Sequence, residues 1–246
     1  MFGIIKDVIR LLRIKIIHMI ALLKSNIFMD LSISKVLIVA PHPDDEIIGC
    51  SGLIQSLLKT DKEVFVVILT GGEGSHCGCC SISTSDLIKA RRELAVKANM
   101  QVGISKDNLY FLHYQDGNIH YEYQDTEKLA SLIKNVRPDS IFVPHRGEGW
   151  NDHLQARNII QKLIENNSDI RLYEYCVWFW YYNTWSIDWK NAFILSMTTV
   201  EHTLKNQVID TYILPKAPCG KPWSGVLPKI FIKAVRWNKE LYFRIK

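Results

Sequence analysis

The chain has 246 residues, 48% of them hydrophobic and 22% charged, with a formal net charge of +5. That balance excludes a disordered chain and suits one α/β domain with a filled core; nucleic acid is not an expected partner, because no recognition motif accompanies the mild basic excess. The six Cys (50, 77, 79, 80, 176 and 219) are not laid out as the framework of a secreted disulfide scaffold, so a reducing cytoplasm is expected.

Residues 1–24 (MFGIIKDVIRLLRIKIIHMIALLK) put Lys6, Arg10 and Arg13 at i, i+4 and i+7, on one face of a helix whose remaining circumference is mostly Ile, Leu, Val and Met. Lys6, Asp7, Arg10, Arg13, Lys15 and His18 interrupt any membrane-spanning stretch, and no small-residue cleavage site marks a signal peptide. Two readings stay open: a basic amphipathic helix lying in a membrane interface, or a helix packed on its own domain or on a second subunit. Residues 25–34 read as a connector, so that 1–34 precede a single domain over 35–246.

Residues 35–46, KVLIVAPHPDDE, organise that domain. Val36 to Ala40 is a short β-branched run suited to a buried parallel strand. Pro41 and Pro43 end it, and the apolar spacing of Leu53, Ile54, Leu57 and Leu58 begins a helix. The turn between them holds His42, Asp44, Asp45 and Glu46. Adjacent carboxylates repel unless a positive charge sits among them, and imidazole with carboxylate suits a divalent metal such as zinc.

The run Ala40-Pro41-His42-Pro43-Asp44-Asp45-Glu46 resembles the signature of the PIG-L/LmbE family of zinc-dependent N-deacetylases, with a weaker likeness over about residues 35–180. The resemblance implies hydrolysis of an acetyl group from an N-acetylated amino sugar of the GlcNAc type. It further implies one zinc ion, or another divalent metal, held by His42, Asp45 and a later His, with Asp44 as general base.

Downstream, residues 63–70 (EVFVVILT) read as a second buried strand, and Gly71 to Gly74 end it as a wall of the site. Residues 76–80 carry His76, Cys77, Cys79 and Cys80, too cramped for tetrahedral ligation by all four; a second metal site there is weighed against a plain loop. A helix follows over 86–100. Its Arg91-Arg92-Glu93 is similar to a family feature in which an Arg reaches substrate; the spacing does not separate Arg91 from Arg92, and Arg92 is carried as the substrate contact. A strand over 108–114 leads to Asp116, which the resemblance makes a contact for sugar hydroxyls and which equally suits an Asp-Gly turn.

After a helix over 126–135, a strand over 140–144 runs into His145-Arg146-Gly147-Glu148-Gly149-Trp150-Asn151-Asp152-His153. By resemblance His153 is the third metal ligand and Asp152 its supporting partner. Trp150 stands where relatives often carry a His; His145, ranked ahead of Arg146 on the same loop, is the candidate to take over that role and return a proton to the leaving amine, as Asp44 itself could, and Trp150 is carried as a substrate-binding ring. Residues 170–180 read as a strand running into an aromatic cluster, 193–199 as another strand, 201–212 as a helix and 220–246 as a basic, aromatic tail. Both basic ends suit a membrane surface or a lipid-linked substrate at the inner membrane face. The fold expected from this alternation is a Rossmann-like, doubly wound α/β structure with a mostly parallel sheet, helices on both faces and an added N-terminal amphipathic helix. The competing functions are a zinc amidohydrolase acting on another amide conjugate, and a non-catalytic, membrane-associated glycan-binding protein.

Overall fold

The computed structural model describes residues 2–28, 33–76, 82–122, 124–182 and 187–245. The first half runs α1 (Phe2–Lys24), β1 (Asn26–Ile27), β2 (Lys35–Ala40), α2 (Asp45–Leu58), β3 (Glu63–Thr70), α3 (Thr84–Gln101), β4 (Leu109–Tyr114) and α4 (Asp125–Val136). The second half runs β5 (Ser140–Pro144), α5 (Asn151–Leu163), β6 (Arg171–Tyr175), β7 (Ala192–Ser196), α6 (Thr199–Ile213), α7 (Lys229–Val235) and β8 (Lys239–Arg244). The strands form one sheet in the order β1-β7-β8-β6-β5-β2-β3-β4, parallel throughout except where β8 pairs antiparallel with β6 and β7.

Period-two alternation divides the apolar runs between two cores. In β2, Val36, Ile38 and Ala40 face the core shared with α2 and α3, while Leu37 and Val39 face Leu129 of α4 and Ile159 and Ile160 of α5. Both faces are therefore covered, which is why β2 and β5 read as continuous apolar runs rather than alternating ones. The doubly wound expectation holds. Strands β4-β3-β2-β5-β6 are laid down outward from β2 in both directions, so the carboxyl ends of the neighbours β2 and β5 frame the topological switch point.

Three stretches depart from the expected elements. The connector contains β1, which pairs with β7, and the C-terminal tail contains α7 and β8, with Leu241, Tyr242 and Phe243 buried in the middle of the sheet. The charges of β8 made it read as surface. Inside the fold, Glu240 meets Lys205 at 2.7 Å, both side chains buried, and accepts from the backbone N–H groups of Gly52 and Leu53. The expected strand over 170–180 stops at Tyr175, and the chain tightens into a short turn over Trp178–Trp180.

Helix α1 is inverted relative to an ordinary surface helix. Arg13 is buried and donates to the carbonyls of Phe179 and Trp180, and Arg10 lies over the Tyr181 ring at 4.2 Å. Ile14, Ile17 and Ala21 are buried beside them, while much of the remaining apolar surface of the helix is exposed. Among the described residues, no helix is long and apolar enough to cross a membrane.

Candidate active site

Where β2 ends, Pro41 is pinned by Thr70 at the end of β3: the Thr70 N–H and hydroxyl both donate to the Pro41 carbonyl, at 3.0 and 2.9 Å. The chain then turns through His42 and Pro43 and enters α2 with Asp44 at φ 129°, a conformation that L-residues rarely adopt. Glu46 supports it by accepting from the Asp44 N–H at 3.1 Å. Glu46 is itself held by the Tyr212 hydroxyl at 2.5 Å and the Asn99 amide at 2.8 Å, all in the interior. Burial pushes the Glu46 carboxyl up.

Three ligand-type atoms converge from the two sides of the switch point. Asp45 Oδ2 lies 3.2 Å from His42 Nδ1 and 3.3 Å from His153 Nε2, and all three residues are buried or nearly so. His153 belongs to the first turn of α5, and its Nδ1 lies 3.1 Å from Glu148 Oε2. His153 Nε2 is buried and, among the described residues, has no well-formed hydrogen bond, although it faces Asp45 Oδ2. Spacings just above 3 Å between one carboxylate oxygen and two imidazole nitrogens fit a divalent ion, which His42, Asp45 and His153 would hold. The other ring nitrogen of His42, Nε2, lies 3.1 Å from both Asp116 and Asp152, the carboxylate support that metal-bound imidazoles commonly have.

The charges answer one another. Burial opposes a proton on His42, but Asp116, Asp152 and Asp45 outweigh it and raise its pKa well above the ordinary value. His153 is likewise raised to about 9, with Asp45 and Glu148 overcoming the cost of burial. Asp45 is held below the usual carboxylate range despite its burial, by His153 and then His42. Asp44 moves the other way, to about 8, because burial dominates over the nearby Arg91. Asp116 falls to about 2 through its bond to His42.

These groups open into a cavity of about 590 Å³ whose wall includes His42, Asp44, Asp45, Arg91, Asp116, Trp150 and Asp152. Gly74 and Ser75 form the expected glycine-loop wall, with the Gly74 N–H donating to Asp116 at 2.7 Å. Arg91 donates to the carbonyls of Gly72 and Pro43 and lies 3.5 Å from Asp44. A side chain at Gly72, where φ is +69°, would collide with that guanidinium.

A family model described as PIG-L, GlcNAc-PI de-N-acetylase, matches residues 37–164, more than half of the chain and both halves of this site. The chain belongs to the PIG-L family. It is 29% identical over 128 residues to the diacetylchitobiose deacetylase of Thermococcus kodakarensis, covering 50% of this chain and 46% of that one. It is 28% identical over 141 residues to a probable N-acetylglucosaminyl-phosphatidylinositol de-N-acetylase of Dictyostelium discoideum, covering 54% and 51%. The chain thus spans about half the length of the curated relatives it matches. The solved N,N'-diacetylchitobiose deacetylase from Pyrococcus horikoshii superposes with a TM-score of 0.61 at 23% identity, over 73% of this chain and 70% of that one, which shows a shared fold.

Within this PIG-L site, the residues expected from sequence fall into two groups. His42, Asp44, Asp45, Asp116, Trp150, Asp152 and His153 come together. Arg92 and His145 do not. Arg92 points to the outer side of α3, where it donates to the Leu112 carbonyl and sits over Phe111, so Arg91, one residue earlier, is the arginine of the pocket. His145 lines a separate cavity of about 190 Å³ with Arg157 and Glu174, and its Nδ1 accepts from the Gly147 N–H. Burial and the nearby Arg146 and Arg157 pull its pKa down to about 3. Asp152 supports His42 rather than His153.

The partner of His153 is Glu148, which the sequence reading passed over although it lies in the His145–His153 stretch. Its carboxylate is fully buried and accepts from the Val177 and Trp178 N–H groups, both at 2.6 Å, tying the β5–α5 loop to the aromatic turn. Trp150 stacks on Trp178 at 5.5 Å at the edge of the cavity. Of the His76–Cys80 stretch, weighed as a metal site or a plain loop, His76 is described, and Cys77 to Cys80 lie outside the described residues.

Proposed function

We propose that this protein is a metal-dependent N-deacetylase that removes the acetyl group from a GlcNAc-type amino sugar carried on a glycolipid, a polysaccharide precursor or another conjugate. The observation that carries the reading is the convergence of His42 Nδ1, Asp45 Oδ2 and His153 Nε2 beside Asp44, inside the stretch matched to the PIG-L family. A zinc or other divalent ion held by those three residues would polarise the acetamide carbonyl and acidify a water beside it.

The chain's own residues supply the rest. In its ionised form Asp44 takes a proton from the attacking water and then returns it to the departing amine, with Arg91 and the Glu46 bond fixing its direction. Asp116 and Asp152 hold the His42 ring in one orientation and border the space for sugar hydroxyls. The stacked pair Trp150–Trp178 offers an aromatic face to a pyranose ring. The products are acetate and a free amino sugar.

The test is metal content together with acetate release, on wild type and on Asp44→Asn, across N-acetylglucosaminyl lipid, nucleotide and disaccharide conjugates. The reading stands if wild type holds about one ion and releases acetate, while the variant keeps the ion and loses turnover. Release of a different acyl group selects an amidohydrolase for another conjugate. Metal binding with no release from any substrate selects a glycan-binding protein.

A further inference from the structure

We infer that α1 is a docking surface for an anionic membrane face, with its apolar side seated among the lipids and the enzyme body held above. The inference stands independently of the deacetylase reading.

Its first support is the inversion of the helix. The arginines that make one face look like a charged surface are turned inward, Arg13 to the backbone of the aromatic turn and Arg10 to Tyr181. The face turned outward carries Ile5, Ile9, Leu12, Ile16, Met19 and Leu23 at helical spacing, each between 42% and 78% exposed. Val8 and Leu22, also exposed, widen the stripe beyond the narrow seam of a coiled coil. Soluble surfaces rarely leave so continuous an apolar strip uncovered. The helix runs for 23 residues, about 35 Å, and is anchored by Arg10 and Arg13 near its middle and by Ile14, Ile17 and Ala21 in its second half, so the stripe is presented on a firm base.

Charge selects the occupant. Asp7, the single acid of the helix, is paired with Arg10 at 3.4 Å, which leaves the exposed Lys6, Lys15 and Lys24 as net positive charge. The neighbouring α7 adds exposed Lys229 and Lys233. Lysines bordering an apolar strip extend to anionic headgroups while their stems stay in the interface. A second copy of this chain fits worse. A two-fold, antiparallel pairing brings mid-helix residues together, which would set the exposed Lys15 against its own counterpart. Docking would also bring the membrane near the pocket, because Arg10 lies on Tyr181, Tyr181 packs on Trp178, and Trp178 lines the cavity.

The experiment is co-sedimentation of the full chain with phosphatidylcholine vesicles and with vesicles containing about one-third phosphatidylglycerol. It uses wild type, Ile9→Gln/Leu12→Gln/Ile16→Gln and Lys15→Glu/Lys24→Glu, with sedimentation velocity in the absence of lipid. Far-UV circular dichroism and thermal midpoints establish that each variant is folded. Wild type should partition at least about ten-fold more strongly onto the anionic vesicles; the Gln variant should lose binding to both, and the Glu variant should lose the anionic preference. Folded wild type that ignores anionic vesicles overturns the proposal. So does a wild-type dimer that the Gln substitutions turn into a monomer while lipid binding is absent throughout.

Discussion

Glu148 holds His153 so that its other ring nitrogen faces Asp45. Its Oε2 lies 3.1 Å from His153 Nδ1, and a carboxylate can only accept, so Nδ1 carries a proton and Nε2 is the nitrogen turned toward Asp45, the one that presents a lone pair once the ring is neutral. The same carboxylate holds the Val177 and Trp178 N–H groups. Glu148→Gln should therefore weaken metal binding by about 10–100-fold and loosen the aromatic turn. A metal titration by calorimetry checks the first effect, and tryptophan fluorescence of the Trp150–Trp178 stack the second. Unchanged affinity would mean that the imidazole is oriented by packing alone.

Asp44 is both strained and buried, and that combination predicts a trade between activity and stability. Its φ of 129° costs about 1–3 kcal/mol for a non-glycine residue. Asp44→Gly removes that strain and a buried carboxyl together. The expected outcome is an unchanged metal stoichiometry, a thermal midpoint raised by several degrees (about 4 °C or more), and acetate release reduced by about 10²–10⁴-fold. Asp44→Ala, which keeps the strain, should show the same loss of turnover with a smaller gain in stability. If both variants melt below wild type, the Arg91 contact at 3.5 Å outweighs the strain.

The cluster of His42, Asp45 and His153 was legible in the chain because each of its two halves is local. His42, Asp44 and Asp45 sit at one strand–helix junction, and Asp152 and His153 at another; both junctions are written in apolar runs, prolines and helix starts. Partnerships across the sheet were not legible. Arg91 and Arg92 differ by one helical step, and only the packing of α3 on the glycine loop turns the first inward and the second out. His145 and His153 flank one loop, yet Glu174 and Arg157 neighbour the first and Glu148 the second. Strand β8 escaped notice for the same reason, since the lysine that neutralises Glu240 comes from a helix 35 residues earlier.

Arg91 and His145 make a paired test of that sorting. Arg91→Lys keeps a charge but cannot span the Gly72 and Pro43 carbonyls together, so Asp44 loses its alignment; kcat should drop by about ten-fold or more. Arg92→Lys and His145→Gln should leave kcat within about two- to three-fold of wild type, because neither side chain reaches the main cavity. Initial-rate kinetics on a soluble conjugate decide the matter. A large kcat loss in His145→Gln would return that histidine to the reaction.

Trp150 should report on sugar binding. Its ring is 40% exposed and stacked on Trp178 at 5.5 Å, which leaves one side free for a ligand. Trp150→Ala removes about 0.5–1.5 kcal/mol of stacking, equivalent to a KM increase of about 2–10-fold with kcat nearly constant. Trp150→Phe should recover most of the affinity. Equal losses in kcat and in kcat/KM would instead mean that the indole acts on the transition state.

The anchoring of α1 carries a pH dependence of its own through His18. The imidazole is stacked on Trp237 at 3.8 Å and edge-on to Trp180 at 4.9 Å, its Nε2 has no hydrogen-bond partner among the described residues, and burial pulls its pKa from 6.5 down to about 4. A histidine depressed in the folded state favours folding in its neutral form. The unfolded chain takes up the proton first, so this contribution is intact above about pH 6.5 and is lost progressively as pH falls toward about 4. Other buried groups titrate over the same range, so the informative quantity is a difference. His18→Phe keeps the stack and removes the proton site. Its thermal midpoint should gain on wild type steadily between pH 6.5 and 4.5 and run parallel to it above pH 7, with hydrogen exchange in α1 accelerating over that interval in wild type alone. Parallel curves across the whole range would place His18 among the freely solvated histidines and remove α1 from the acid response.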